Sequence, residues 1–199
     1  MRRELALSLV LAACGTTPVP APAGCSEGLH ADAARQARLE ARLGSVAEGS
    51  ALLAAARDRV AAVCFAAPGS ASVVTTDRVL VLAEDLEESE AAARLGHLLV
   101  HLRDGLPLEA VPAGARGAAC DEAVTRALAL ESVAYATEIE LQRALEATPH
   151  VLRFEITDAV LALAPEARAR YVARYLAEHP DGAPGIEGLA HAYRLRCAP

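Results

Sequence analysis

Every one of the 19 basic residues in this chain is arginine; there is no lysine. Acidic residues number 26, which leaves a formal net charge of -7 and no basic block. That balance excludes the electrostatic footprint of a nucleic-acid or anionic-lipid binder. Aromatic residues make up only 3% of the chain although 53% is hydrophobic, so leucine, valine and alanine must fill the core, mostly from helices. No apolar run approaches the ~20 residues of a membrane-spanning helix. Glycine-rich phosphate loops, a G-x-S-x-G elbow and a C-x-x-C pair are also missing. Nucleotide binding, serine-hydrolase chemistry and thiol redox chemistry therefore have no sequence footing.

The N-terminus reads as a targeting segment rather than as fold. Arg2 and Arg3 precede an apolar run over residues 5–13, the pattern of a signal peptide. Its end, Leu11-Ala12-Ala13-Cys14, resembles the lipobox of bacterial lipoproteins, in which the cysteine is lipidated and becomes the new N-terminus. The resemblance implies a lipid anchor on Cys14 and a place in the bacterial cell envelope. Gly15 is not the aspartate associated with inner-membrane retention, so the outer membrane is the expected address. Residues 14–24 are Pro-rich and form an extended tether of roughly 3 Å per residue. A single helical domain is expected over residues 25–199. With Cys14 lipidated, Cys25, Cys64, Cys120 and Cys197 remain, an even number in an oxidising compartment. Two disulfides are expected, with all three pairings open.

Apolar spacing predicts helices over residues 31–43 and 49–63, broken at Gly44 and Ser45. Val- and Thr-rich runs at 72–75 and 78–82 flank Thr76-Asp77 as a small β-hairpin. Asp85 and Glu88 have the spacing of a capping box for a helix that runs to about Arg103 and stops at Asp104-Gly105. Residues 107–117 read as loop. A long helix follows over 121–147, then one opened by Pro165 and closed before Pro180, then one over 186–196. The class is mainly α (α+β), a helical domain with one small hairpin or sheet.

The helix before Gly105 carries the densest chemistry. His97 and His101 are four residues apart, so their side chains leave one face of the helix and can grip one zinc ion. Projection places them on a stripe with Glu90, Arg94 and Asp104, beside an apolar stripe of Ala91, Leu95, Leu98 and Leu102. Such a stripe is either a solvated face or a buried site. Glu131 stands on an apolar face among Val124, Ala127, Leu128, Ala134 and Tyr135, where a carboxylate is costly unless it is paired or bound to metal. Glu138, one heptad on, is the reserve ligand, and Tyr135 is placed to hydrogen-bond a ligand. The other histidines are scattered and read as surface or cap residues.

A hairpin, a two-histidine helix, a loop and a glutamate-bearing helix resemble the gluzincin-type zinc metallopeptidases. His97-Leu98-Leu99-Val100-His101 matches their HExxH motif except at position 98, and Glu131-Ser132-Val133-Ala134-Tyr135 is similar to the E-x-x-A-Y around their third ligand. The resemblance covers residues 60–145. It implies a zincin-like fold and zinc on His97, His101 and Glu131. It also implies a deficit: the glutamate that works as general base is replaced by Leu98, and Glu138 or Glu109 would have to substitute. The expected protein is therefore a metallopeptidase-like lipoprotein without peptidase activity and with no catalytic residue. Its partner would be a peptide, a cell-wall component or another envelope protein. Two other readings compete: a structural helical lipoprotein without a metal site, and an active zinc hydrolase with an unrecognised base. The structural reading requires histidines that face solvent and a Glu131 paired with arginine.

Overall fold

The computed structural model describes residues 24–146, 156–183 and 186–197. The leader, Cys14, nearly all of the tether and Pro149 lie outside them, while the long helix expected to run to 147 ends at Ala144. The described chain is mainly helical with a three-stranded sheet and two disulfides. Among the described residues, no helix is long and apolar enough to cross a membrane.

Helix α1 (Ala33–Gly44) opens on Asp32, whose carboxylate accepts from Arg35 N at 2.8 Å. It buries Leu39 and Leu43, and α2 (Ala47–Ala56) follows after only two residues. A side chain at Gly49 would overlap the Leu43 carbonyl, so glycine is what lets the second helix turn back so tightly. The expected continuation of this helix to residue 63 is overturned. A short 3-10 turn (Arg57–Arg59) ends it, and β1 (Ala62–Ala66) begins. Val63, Cys64 and Phe65 suit a strand buried on both faces, which carries no alternation to betray it.

The expected hairpin is present in shortened form, as β2 (Val73–Val74) antiparallel to β3 (Val79–Ala83). Strand β1 adds to the far side of β3 in parallel, giving the order β1-β3-β2. Val63, Phe65, Leu80 and Leu82 face the helices, while Cys64, Ala66, Val79 and Val81 pack under the segment bearing Cys25 and Leu29. The Cys25–Cys64 disulfide closes that second face.

Helix α3 (Glu88–Asp104) lies across the sheet and is buried on nearly every side, as a central helix must be. Its cap is Glu87, whose side chain accepts from Ser89 N and Glu90 N. Asp85, expected in that role, instead accepts from Gly69 N at 3.0 Å. A one-turn helix α4 (Pro107–Ala110) interrupts the expected loop. Helix α5 (Ala118–Ala144) then runs along α3. A Cβ at Gly96 would clash with Leu141 Cδ1, so this glycine permits the close approach of α5 one residue before His97.

The far side of α5 is covered by α6 (Thr157–Leu161), α7 (Pro165–Glu178) and α8 (Leu189–Cys197), which build a second core around Ile139, Val160, Val172 and Leu176. Pro165 occupies the first turn of α7 as expected. A two-residue pairing of β4 (Gly182–Ala183) with β5 (Ile186–Glu187) precedes α8, so the last helix starts later than its apolar pattern predicts. Cys120, in the first turn of α5, is bonded to Cys197 at the end of α8.

Candidate metal centre

His97 and His101 leave α3 on the side that meets α5, and the ring atoms His97 Nε2 and His101 Nε2 stand 3.0 Å apart. Glu131, from the middle of α5, places Oε2 3.5 Å from the first and 3.3 Å from the second. All three residues are buried, at 4%, 4% and 7% exposure. The stripe that sequence left open as a solvated face is thus largely internal, with Arg94 half-buried and Asp104 at its end exposed.

Two ring nitrogens and a carboxylate oxygen at this spacing repel one another unless positive charge lies between them. Protons supply some of it. Burial works most strongly against charge on His97, but Glu131 and Glu138 overcome it and raise its pKa. For His101 burial wins, and the pKa is lowered despite Glu131. Burial also disfavours an ionised Glu131, yet His101 and His97 hold it well below the usual carboxylate range. The group can hold a metal ion. Its geometry suits one: a tetrahedral centre 2.0–2.1 Å from its N and O ligands separates them by about 3.3 Å. The three measured separations bracket that value.

The surroundings orient the ligands. Glu138 lies two turns beyond Glu131 on the same side of α5 and is fully buried. Its Oε2 is 3.0 Å from His97 Nδ1, although bent away from hydrogen-bond geometry. Its Oε1 is 3.2 Å from Arg94 Nε and accepts from Gln142 Nε2 at 3.1 Å. Burial raises the pKa of Glu138, but Arg94 and then His97 outweigh it and keep the group ionised. A carboxylate at His97 Nδ1 favours the tautomer whose Nε2 lone pair points at the cluster. Glu138, the reserve ligand, therefore stands behind His97 rather than beside the metal position.

Tyr135 also lines the site. Its ring packs edge-on against His97, with centroids 4.7 Å apart, and lies under the Arg94 guanidinium. Glu131 is met by the hydroxyl of Tyr193 of α8, which donates to its Oε1. Nothing in the spacing of Tyr193 signals this, because 62 residues separate the two.

The cluster opens onto a cleft of about 320 Å³, bounded by the Ser70–Val74 segment, α4 and the start of α8. Exposed Val73 and Leu108 stand at it, and Leu98 forms part of its floor while remaining core. Glu131 is the single carboxylate lining the cleft among the described residues. Glu138 is sealed behind His97, and Glu109 lines a separate cavity of about 260 Å³ beside His101. Neither lines the cleft itself. Of the remaining sequence candidates, Cys14 is outside the described residues, and the four other cysteines form Cys25–Cys64 and Cys120–Cys197. The chain matches no protein family, no curated protein and no solved structure.

Proposed function

We propose that this chain is a lipid-anchored protein of the bacterial cell envelope whose helical domain binds one zinc ion through His97, His101 and Glu131. In this reading it is metallopeptidase-like in layout and holds a peptide-like partner in the adjacent cleft without hydrolysing it. The observation that carries the proposal is the convergence of two buried imidazole nitrogens and a buried carboxylate oxygen at the edge lengths of a tetrahedral site. The donor set, two nitrogens and one oxygen with a side open to the cleft, is that of zinc rather than of calcium or magnesium. Bound there, zinc would polarise an oxygen of the ligand as a Lewis acid.

The chain's own residues define the limits of the chemistry. Glu138 favours one His97 tautomer by its charge, Arg94 keeps Glu138 ionised, and Tyr193 holds the outer oxygen of Glu131. Among the described residues, none lining the cleft accepts a proton where Leu98 stands, and a general base contributes ~10²–10⁴ in rate. Binding without turnover is the consequence. The short edge strand β2 beside the cleft, with Val73 and Leu108 exposed, suits an extended apolar chain. The two disulfides suit an oxidising compartment, as the lipobox-like N-terminus implies. The metal-free structural reading loses its support, since the histidines are buried and Arg94 pairs with Glu138 rather than Glu131.

Elemental analysis of the chain purified without chelator tests the proposal. About one zinc per chain is expected, and none in the His97→Ala/His101→Ala variant. Zinc in neither protein would sink it, and chelator-sensitive peptide hydrolysis abolished by His97→Ala would overturn the non-catalytic part.

A further inference from the structure

The candidate metal centre is completed by a residue from the opposite end of the chain. Glu131 uses its two oxygens differently: Oε2 faces the histidines, and Oε1 accepts the Tyr193 hydroxyl. Tyr193 is buried and sits on α8, a helix of only 9 residues. Helices that short do not persist on their own in water. Two ties hold this one in place, one to the end of α4 and one to α5. Arg196 Nε donates to the Val111 carbonyl at 2.9 Å, and Cys197 is bonded to Cys120. Cys197 lies four residues after Tyr193, so the disulfide and the phenol leave the same face of α8. Both reach α5, one at its first turn and the other at its middle.

We infer that the Cys120–Cys197 disulfide clamps Tyr193 onto Glu131 and thereby sets the affinity of the centre for zinc. The inference rests on the zinc reading above. Tyr193 is a positioning residue, acting through Glu131 alone. With the phenol in place, the carboxylate plane is fixed and Oε2 is held toward the two ring nitrogens. Without it, a buried Oε1 loses its donor and the carboxylate is free to rotate. Partners of metal ligands commonly change metal affinity 10–100-fold when removed. An intact clamp makes strong metal binding conditional on an oxidised chain. The other disulfide supplies an internal control. Cys25–Cys64 lies on the sheet face turned away from α3, among Ala66, Val79 and Val81, and touches no member of the centre.

Zinc affinity is measured by competition with a chromophoric chelator on the full chain, with far-UV circular dichroism recorded for each variant. Tyr193→Phe is expected to weaken binding about 10–100-fold. Cys120→Ser/Cys197→Ser should weaken it by a similar factor, and adding Tyr193→Phe to that pair should weaken it little further. Cys25→Ser/Cys64→Ser should bind as the unsubstituted chain does. In that last background a phosphine reductant opens only Cys120–Cys197, so the comparison survives if the serine pair does not fold. Unchanged affinity in Tyr193→Phe would overturn the positioning role. Full affinity with the clamp open would overturn the coupling, and equal losses on opening either disulfide would reduce it to general destabilisation. Failure of the unsubstituted chain to take up zinc would instead overturn the underlying metal reading, and the inference with it.

Discussion

Glu138 has no access to the cleft, yet it is the residue through which His97 is oriented. One of its oxygens lies against His97 Nδ1 and the other against Arg94 and Gln142. Replacing it by glutamine keeps the shape and removes the charge. Zinc affinity in Glu138→Gln is expected to fall about 10–100-fold, read by the same chelator competition. Its fold should survive, because the amide still meets Gln142. An unchanged affinity would show that the tautomer of His97 is set by something other than Glu138. Leu98 illustrates the opposite relation between residue and site. Sequence gives it the position of a general base, while structure gives it a place in the core with its side chain at the cleft floor. Its apolar character serves packing.

At the scale of elements, the site is a product of how closely α5 lies on α3. Gly96 permits this contact, since any side chain there meets Leu141. Gly96→Ala would press on the Leu141 side chain packed at this contact beside His97. The expected cost is about 1–3 kcal/mol of stability, visible as an earlier urea midpoint and accompanied by weaker zinc binding. A midpoint equal to that of the unsubstituted chain would mean that Leu141 can yield and that glycine is not required. The same contact explains why the polar stripe of α3 is largely internal. His97 and His101 are buried and Arg94 half-buried where α5 brings carboxylates to meet them, and each finds its counterpart there. Amphipathic projection locates the stripe but not its partner. For that reason the hairpin and the long helix were legible in sequence, whereas β1, buried on both faces, read as more helix.

For the molecule as a whole, the buried charges tie stability to pH. In the metal-free protein Glu131 and Glu138 both titrate below their ordinary value of 4.5, through the histidines and Arg94 respectively. Below that value the unfolded chain takes up protons that the folded chain refuses. Stability is therefore full above it and falls as pH drops through and beneath it. His101, whose pKa is lowered by burial, adds to this loss below its ordinary value, and His97, whose pKa is raised, works against it. Urea midpoints in chelator should decline steadily from about pH 5 downward, and Glu138→Gln should flatten that decline. A midpoint independent of pH over this range would contradict the buried ion network. What the sequence determined by itself is local: the helical class from its Leu and Ala periodicity, the hairpin from its Val and Thr runs, and the facing of His97 and His101 from helical spacing. An anomalous carboxylate at 131 was also visible, because charge in an apolar stripe needs a partner wherever the helix goes. Tertiary structure alone decided that the partner is the histidine pair, that Glu138 and Tyr193 serve the ligands from behind, and which cysteines join. Those facts depend on helix-to-helix distances and on contacts between residues far apart in the chain, and neither periodicity nor spacing encodes them.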